Sequence, residues 1–376
     1  MKVLMLGRID LFQNRGGDTV QIENTAEELR NLGVEVDICS DLSVDMQGYD
    51  LIHIFQLDWI PEIYFYFLKA EKYNKKIVFS PIHHNINEVK RFDDEYVFDY
   101  RRISKILFKN QFSRDTFKNV YRSIRDIKRI GPTIYSVIYG FKNMQKRMLE
   151  WSDHILVQTN REAEDLKNTF EVDFRWTKIS NGVGKIYYEN KDYEPKLKLK
   201  DYVICVGRIE PRKNQLKIIE AVTEIREQSK EDINLVFLGS YKGAKHLEYT
   251  YLFNEALKKN KWITHIDRVP YKDMPSYYKY AKVCCSASWF ETTGLTVLEA
   301  LFCGTNAVAS GDRARECLGD YASYCDPGDK KSIRIAIEKE LKAPRPLLSD
   351  DMRREYTWEN AARKTLEIYN CILDEK

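Results

Sequence analysis

Two glutamates, Glu291 and Glu299, flank Gly294 with seven residues between them in Phe290-Glu291-Thr292-Thr293-Gly294-Leu295-Thr296-Val297-Leu298-Glu299-Ala300. Carboxylates accept hydrogen bonds from sugar or ribose hydroxyls. A helix opening after Gly294 would turn unpaired N–H groups and a positive dipole end toward a diphosphate. By the spacing alone, the default reading is two acids on an exposed helix start. A second constellation, Val206-Gly207-Arg208-Ile209-Glu210-Pro211-Arg212-Lys213-Asn214-Gln215, places Arg208 and Lys213 in a loop after an apolar run. The planar donor fork of an arginine and the point charge of a lysine suit a pyrophosphate, whose developing charge they can offset in a partly desolvated cleft. The alternative for this loop is a solvated basic turn. Arg15-Gly16-Gly17-Asp18 offers glycines over which a phosphate or a sugar could approach the backbone, and Ser80-Pro81-Ile82-His83-His84-Asn85 offers a histidine pair. Neither the Gly-x-Gly-x-x-Gly fingerprint nor the Gly-x4-Gly-Lys-Ser/Thr loop occurs.

These residues need elements to hold them, and the sequence supplies alternating strands and helices. Lys2–Leu6, a helical stretch Thr19–Leu32 closed by Gly33, and Val34–Cys39 read as a strand, helix, strand unit, with further buried strands at Asp50–Phe55, Lys76–Ser80 and His154–Thr159. A polar stretch from Tyr187 to Lys200 then reads as a connection. The pattern restarts with strands at Tyr202–Val206, Asn234–Gly239, Trp262–Ile266, Lys282–Ser286 and Asn306–Ala309, and helices at Asn214–Gln228, Ala244–Lys259, Leu295–Phe302 and Lys330–Leu341. Each half predicts a doubly wound α/β sheet, and each chemical motif follows a strand, where such sheets bind ligands. Thr357–Leu373 reads as a terminal helix with one apolar face.

The chain has 376 residues, 43% of them hydrophobic, enough for two cores. Its first apolar stretch, Val3–Leu6, is too short for the core of a signal peptide, so the expected compartment is the cytoplasm. Eight cysteines without Cys-x-x-Cys spacing, and scattered histidines, predict reduced thiols and no metal site. The net charge of +3 conceals an asymmetry. Residues 101–147 carry thirteen Lys or Arg against two acids, a net +11 that leaves the remainder at −8. Phe108, Phe112, Phe117 and Tyr121 recur within this segment, which reads either as a helical insertion packing its aromatic face on the sheet or as an amphipathic surface that faces a membrane or grips the acceptor. Nucleic-acid binding is the weaker reading of the charge, because no base-stacking module accompanies it.

Taken together, Gly-Arg-Ile-x-Pro-Arg-Lys-Asn at 207–214, the glutamate pair around Gly-Leu-Thr-x-Leu-Glu-Ala, Cys303-Gly304, Arg315-Glu316 and Tyr356-Thr357-Trp358-Glu359 resemble the family 4 retaining glycosyltransferases. The resemblance implies the GT-B fold: two Rossmann-like α/β domains facing each other across a cleft, with the C-terminal helix crossing back to the N-terminal domain. On that reading residues 1–187 form an acceptor-binding domain with a basic helical insertion at about 88–150, completed by the helix 357–376, and residues 188–356 form the nucleotide-sugar domain. The resemblance also implies roles. Arg208 and Lys213 bind the diphosphate, Glu291 the sugar hydroxyls and Glu299 the ribose, while Gly294, Leu295 and Thr296 lie near the diphosphate. His84 contacts the donor sugar, Arg268 sits where the backbone meets the base, and Gly16 and Gly17 form the first-domain glycine loop. Thr292 and Thr293 stand where the family frequently has Pro-Phe.

The activity implied by the resemblance is retaining transfer of a hexose from a nucleotide sugar, UDP favoured over GDP, to a glycan or lipid-linked hydroxyl in surface polysaccharide or glycoconjugate synthesis. The leaving diphosphate takes the acceptor's proton, and no protein nucleophile is needed. With no Asp-x-Asp in the chain, catalysis without metal or other cofactor is expected. A peripheral contact of segment 101–147 with membrane, and no nucleic acid, complete the expected partners. The competing readings are an epimerase of the same fold and a non-catalytic sugar-nucleotide-binding subunit. The latter would be marked by loss of His84, Lys213 or Glu291, all of which are present.

Overall fold

Short runs of β-branched and aromatic residues, apolar throughout, can be buried only in a sheet covered on both faces, and the computed structural model places them so. It describes residues 1–95, 111–114, 138–189, 192–241 and 246–375. The chain begins with β1 (Lys2–Leu6), α1 (Gly17–Asn31), β2 (Glu35–Cys39), β3 (Leu51–Phe55), α2 (Glu62–Lys72), β4 (Lys76–Ser80) and α3 (Ile86–Glu95), followed by α4 (Phe141–Glu150), β5 (His154–Val157), α5 (Asn160–Phe170) and β6 (Trp176–Lys178). It continues through β7 (Tyr202–Val206), α6 (Gln215–Ser229), β8 (Leu235–Leu238), α7 (Leu247–Lys259), β9 (Ile263–Ile266), α8 (Met274–Tyr280), β10 (Ala281–Cys285) and α9 (Leu295–Phe302). The last elements are β11 (Asn306–Ser310), α10 (Asp312–Leu318), β12 (Ala322–Cys325), α11 (Lys330–Lys342), α12 (Asp350–Glu355) and α13 (Trp358–Asp374).

The strands form two six-stranded sheets, ordered β2-β1-β3-β4-β5-β6 and β12-β11-β10-β7-β8-β9, and every pairing is parallel. The structure divides into two compact units. The first contains the described residues up to 86, residues 111–114 and 138–182, and the chain from 355 onward; the second contains 87–95 and the described part of 183–354. Each has its own core. Leu4, Ile52, Ile54, Phe67 and Phe79 centre the first, and Val203, Leu235, Phe237, Phe253 and Val283 the second. The eight cysteines are all unbridged.

Strand β6 has three residues and β12 four, too short to announce themselves by periodicity, and both lie at sheet edges. Helix α3 departs from the expected single insertion over 88–150, because from residue 87 it groups with the second unit. The reason is apolar and ionic at once. Phe92 packs on the rings of Trp289 and Phe290 at centroid distances of 6.0 and 5.6 Å, and Arg91 pairs with Asp326 at 2.9 Å. Of the basic segment, residues 101–110 and 115–137 lie outside the described residues, and with them Phe108, Phe117 and Tyr121. Phe112 is described, and its ring meets Phe170 in the first core.

The terminal helix α13 belongs to the first unit. Thr357 caps it, its Oγ1 accepting the Asn360 N–H at 3.2 Å, and Ala361, Ala362 and Tyr369 are buried on its inner face. Inside, the Tyr369 hydroxyl pairs with His53 Nδ1 at 2.5 Å, and His53 Nε2 with Ser80 Oγ at 2.8 Å. Burial pushes the His53 imidazole down to about 3, so this chain is neutral at ordinary pH. Gly182 makes the close approach possible, since a Cβ there would stand 2.1 Å from the Trp358 backbone nitrogen. Gly182→Ala is therefore expected to lower the thermal midpoint by several degrees and to expose the chain after residue 355 to limited proteolysis; an unchanged midpoint and cleavage pattern would contradict the contact.

Candidate functional site

In the second sheet β7, β8 and β9 run outward to one side and β10, β11 and β12 to the other, so the strand order reverses between β7 and β10. At such a reversal the loops leaving the two carboxyl ends turn to opposite faces and open a crevice between them. Here those loops are residues 207–214 and 286–294.

Backbone constraints bring them together. Gly207 has φ +145° and Gly239 φ +148°, and a Cβ on Gly239 would lie 2.1 Å from the Gly207 carbonyl oxygen, so the end of β8 can pass beneath the first loop only without a side chain. The Lys213 stem lies directly over Gly207. Asn214, fully buried, donates to the Ala287 carbonyl at 3.1 Å and to the Pro327 carbonyl at 2.8 Å. The Trp289 N–H donates to the Arg212 carbonyl at 2.9 Å, and Arg212 Nη1 returns a bond to the Phe290 carbonyl at 3.2 Å. Two segments more than seventy residues apart are thereby zipped side by side.

On this frame Lys213 Nζ forms a very short ion pair with Glu291 Oε1, and Arg212 lies 3.6 Å from the same oxygen. Burial alone would raise the Glu291 carboxyl, but Lys213 and Arg212 reverse that and hold it at about 2. Glu291 is thus ionised, and purely a hydrogen-bond acceptor, at any working pH. Arg212 keeps its own charge against burial through Glu291 and Glu210. Arg208 differs. Its backbone carbonyl accepts from Gln215 Nε2 at 2.9 Å, yet among the described residues no side chain pairs with its half-buried guanidinium. Gly294, at φ +69°, begins α9, and a Cβ there would meet open space. Leu295 and Thr296 supply first-turn N–H groups that have no partner within a helix.

Glu299 lies on the buried side of α9 in other company. Tyr278 donates to its Oε2 at 3.2 Å, and Tyr187 also hydrogen-bonds to it. Burial pushes its carboxyl up to about 7, so the two glutamates have opposite electrostatic characters and no shared partner. Thr292 is half-buried, Thr293 is buried, and the largely exposed Arg268 sits 3.8 Å from Asp267.

The first unit repeats the geometry with different chemistry. Its order reverses between β1 and β3, and the loops there carry Arg8, Gly16, Gly17 and Asp58, with His83 and His84 after β4. Arg8 is buried and neutralised, its guanidinium 2.7 Å from Asp18 and 2.5 Å from Asp10. Gln56, at φ +76°, donates to Asp18 at 2.6 Å. The Gly16 N–H donates to Thr19 Oγ1 at 3.2 Å, and open space lies over Gly17. His84 is tied to Asp58 through its N–H at 3.0 Å and its Nδ1 at 3.3 Å.

Thus the structure joins Lys213, Glu291 and the Gly294 turn, sets Glu299 among tyrosines, and leaves Arg268 at the surface. Sequence reasoning missed Asp58, Arg8, Arg212, Gly239 and the tyrosines Tyr187 and Tyr278. Asp58 and Arg8 each lie within three residues of a strand end at a reversal, a signal available once the strands are placed. The tyrosines had none, because only tertiary packing brings them to Glu299. Among the described residues no group of His, Cys, Asp and Glu is arranged to hold a metal ion.

Residues 189–364 match the family described as glycosyl transferases group 1. The chain is similar to the O-antigen chain mannosyltransferase B of Escherichia coli, 27% identical over 46% of each chain, and it spans about half the length of the curated relatives it matches. Among solved structures it resembles sucrose-phosphate synthase from Thermosynechococcus elongatus, with a TM-score of 0.74 at 15% identity over 100% of both chains. It also resembles Anabaena HepE, solved in complex with UDP and glucose, with a TM-score of 0.64 at 12% identity over 99% of this chain and 100% of that one. These structural likenesses are likenesses of fold, and the fold is GT-B.

The paired and unpaired carboxylates should respond differently to substitution. Lys213→Met leaves Glu291 mostly buried with Arg212 as its remaining cation, and urea unfolding should show a loss of about 2–4 kcal/mol, partly recovered when Glu291→Gln is added; a fully additive pair would refute the coupling. For Glu299, the folded state favours the protonated acid. That contribution is complete below the unfolded value of 4.5 and is lost as pH rises through about 7. Glu299→Gln should therefore gain stability relative to wild type between pH 5 and pH 8.5, by up to about 3 kcal/mol, and a pH-independent difference in melting temperature would argue against it.

Proposed function

From the match of residues 189–364 to the family described as glycosyl transferases group 1, we propose that the chain moves a hexose-type sugar from a nucleoside-diphosphate sugar to a hydroxyl of a glycan or lipid-linked acceptor. The donor proposed is a UDP-sugar rather than a GDP-sugar, and the setting is bacterial surface polysaccharide or glycoconjugate synthesis. The observation that carries this reading is the half-buried Arg208 guanidinium, unpaired among the described residues, in the same loop as the Lys213–Glu291 pair. A cation held in a crevice without a counter-charge is an anion site in waiting. The Anabaena neighbour, whose structure contains UDP, and the Escherichia coli relative, named for mannosyl transfer into O-antigen, support donor class and setting respectively.

The proposed chemistry uses charge already in place. Arg208 and Lys213 hold the diphosphate, with the first N–H groups of α9 adding the positive end of the helix. Glu291, ionised throughout, accepts hydrogen bonds from sugar hydroxyls, and Lys213 then lies between carboxylate and phosphate. As the bond from the sugar to the diphosphate breaks, the developing negative charge is met by two cations fixed beforehand, so no protein nucleophile and no metal is required. The departing diphosphate takes the acceptor hydroxyl's proton on the face where the new bond forms, which retains the anomeric configuration. Glu299 takes the ribose hydroxyls, Arg268 marks the base end through its backbone, and Thr292 and Thr293 line the sugar. In the first unit His84 is the proposed contact for the transferred sugar and Gly16–Gly17 the close backbone approach. No described helix is long and apolar enough to cross a membrane, and a peripheral contact through the basic residues 101–147 is proposed for a lipid-linked acceptor.

Calorimetric titration with UDP and GDP in the presence of EDTA tests the donor site. UDP should bind more tightly than GDP, and Arg208→Ala should weaken it about tenfold or more; equal binding by wild type and variant would remove Arg208 from the site. Transfer that survives EDTA is the outcome expected for charge neutralisation by side chains. Transfer abolished by EDTA and restored by manganese would overturn that part.

A further inference from the structure

Asp58 lies three residues beyond β3, and its carboxylate serves both histidines after β4. Oδ1 stands 2.6 Å from His83 Nδ1, while Oδ2 stands 3.0 Å from the His84 N–H and 3.3 Å from His84 Nδ1. The two rings are not equivalent. His83 has 2% of its side chain exposed, meets Phe170 edge-on at a centroid distance of 5.7 Å, and gives its backbone N–H to Glu162 Oε1 at 2.8 Å. His84 has 32% exposed and is the member of the pair that a ligand can reach. Between β4 and the pair, Ile82 adopts φ +45°, a left-handed conformation that costs a β-branched residue energy and persists only where its surroundings impose it. Directly after it, Asp58 and Glu162 each accept a backbone N–H of the His83-His84 pair.

We propose that Asp58 is a positioning residue for His84, holding the ring by Nδ1–H and the backbone by the adjacent N–H, and so fixing the tautomer in which Nε2 is the acceptor nitrogen. The assignment of His84 to the transferred sugar rests on the function proposed above; the clamp itself rests on the geometry. A carboxylate that receives a ring N–H selects which nitrogen keeps the proton. Burial would raise the Asp58 carboxyl, but His83 and His84 outweigh it and hold it well below the usual carboxylate range. Gln145 of α4 also reaches this carboxylate, its Nε2 lying 3.5 Å from Oδ1. Glu162 faces the His83 N–H from α5. With its tautomer fixed, His84 keeps its proton on Nδ1 against Asp58, and its ring orientation is set by the protein rather than by a ligand.

Nitrogen-15 NMR of the imidazoles, assigned with His83→Gln and His84→Gln, tests the clamp directly. In the wild-type protein His84 should be the Nδ1–H tautomer at neutral pH, and in Asp58→Asn it should shift substantially toward Nε2–H. An Nε2–H tautomer in wild type, or no change in the variant, overturns the proposal; the wild-type spectrum decides even if the variant folds poorly. For transfer, Asp58→Asn should lower kcat roughly ten- to a hundredfold with little change in donor KM and should alter the pH profile, and Asp58→Glu should restore part of the rate. A clamp seen by NMR together with a His84→Ala variant of unchanged kcat would leave Asp58's positioning of the ring intact and remove His84 from the transfer step, which separates the failure of one reading from the failure of the other.

Discussion

The crevice at the β7/β10 reversal is the constraint on which the second unit's chemistry depends. Adjacent parallel strands whose connections leave in opposite directions cannot be bridged by their own loops, so the carboxyl ends stay open and whatever side chains lie there converge. The side chains that converge are a lysine and a glutamate, which meet in a short, mostly buried ion pair. Burying either charge alone would cost several kcal/mol. The pair therefore holds the two loops in register, and it also keeps a carboxylate ionised and a cation poised where polar ligands can use both.

The two units share an architecture and differ in how charge is balanced at the open end. In the first, the arginine after β1 is surrounded by Asp10 and Asp18 and is spent internally. In the second, the arginine after β7 has no such partners among the described residues. The two parallel sheets, different in strand order, thus carry at one carboxyl end an arginine neutralised by two aspartates and at the other an arginine without such partners among the described residues. The glutamates within the second unit show the same economy. Glu291 and Glu299 flank one short helix start, yet two cations depress one, while burial raises the other and its tyrosine hydrogen bonds offset that only in part.

Much of this rigidity depends on residues that do no chemistry. Gly239 passes beneath Gly207, Gly182 passes beside Trp358, and Asn214 spends its amide on two carbonyls. Phe92 packs against the two aromatic residues that precede Glu291, so a helix outside the sheet supports the loop that carries the charge.

The central strands and the longer helices were legible in the chain because burial on both faces forces a continuous apolar run and an amphipathic helix forces a period, and both are local properties. The motif residues after β7 and β10 were legible for the same reason, since a polar cluster that comes after an apolar run must lie at a strand's carboxyl end. Strands β6 and β12 were not, being too short for a period and defined by the neighbour they pair with. Nor was the grouping of α3, which depends on the fit of Phe92 against rings some two hundred residues away. Residue types at 208, 213, 291 and 299 established that anion and hydroxyl chemistry was available. Which carboxylate is ionised, which arginine lacks a partner among the described residues and how one aspartate, Asp58, ties both His83 and His84 were decided only by the tertiary structure, because each depends on the distance and desolvation of partners distant in sequence.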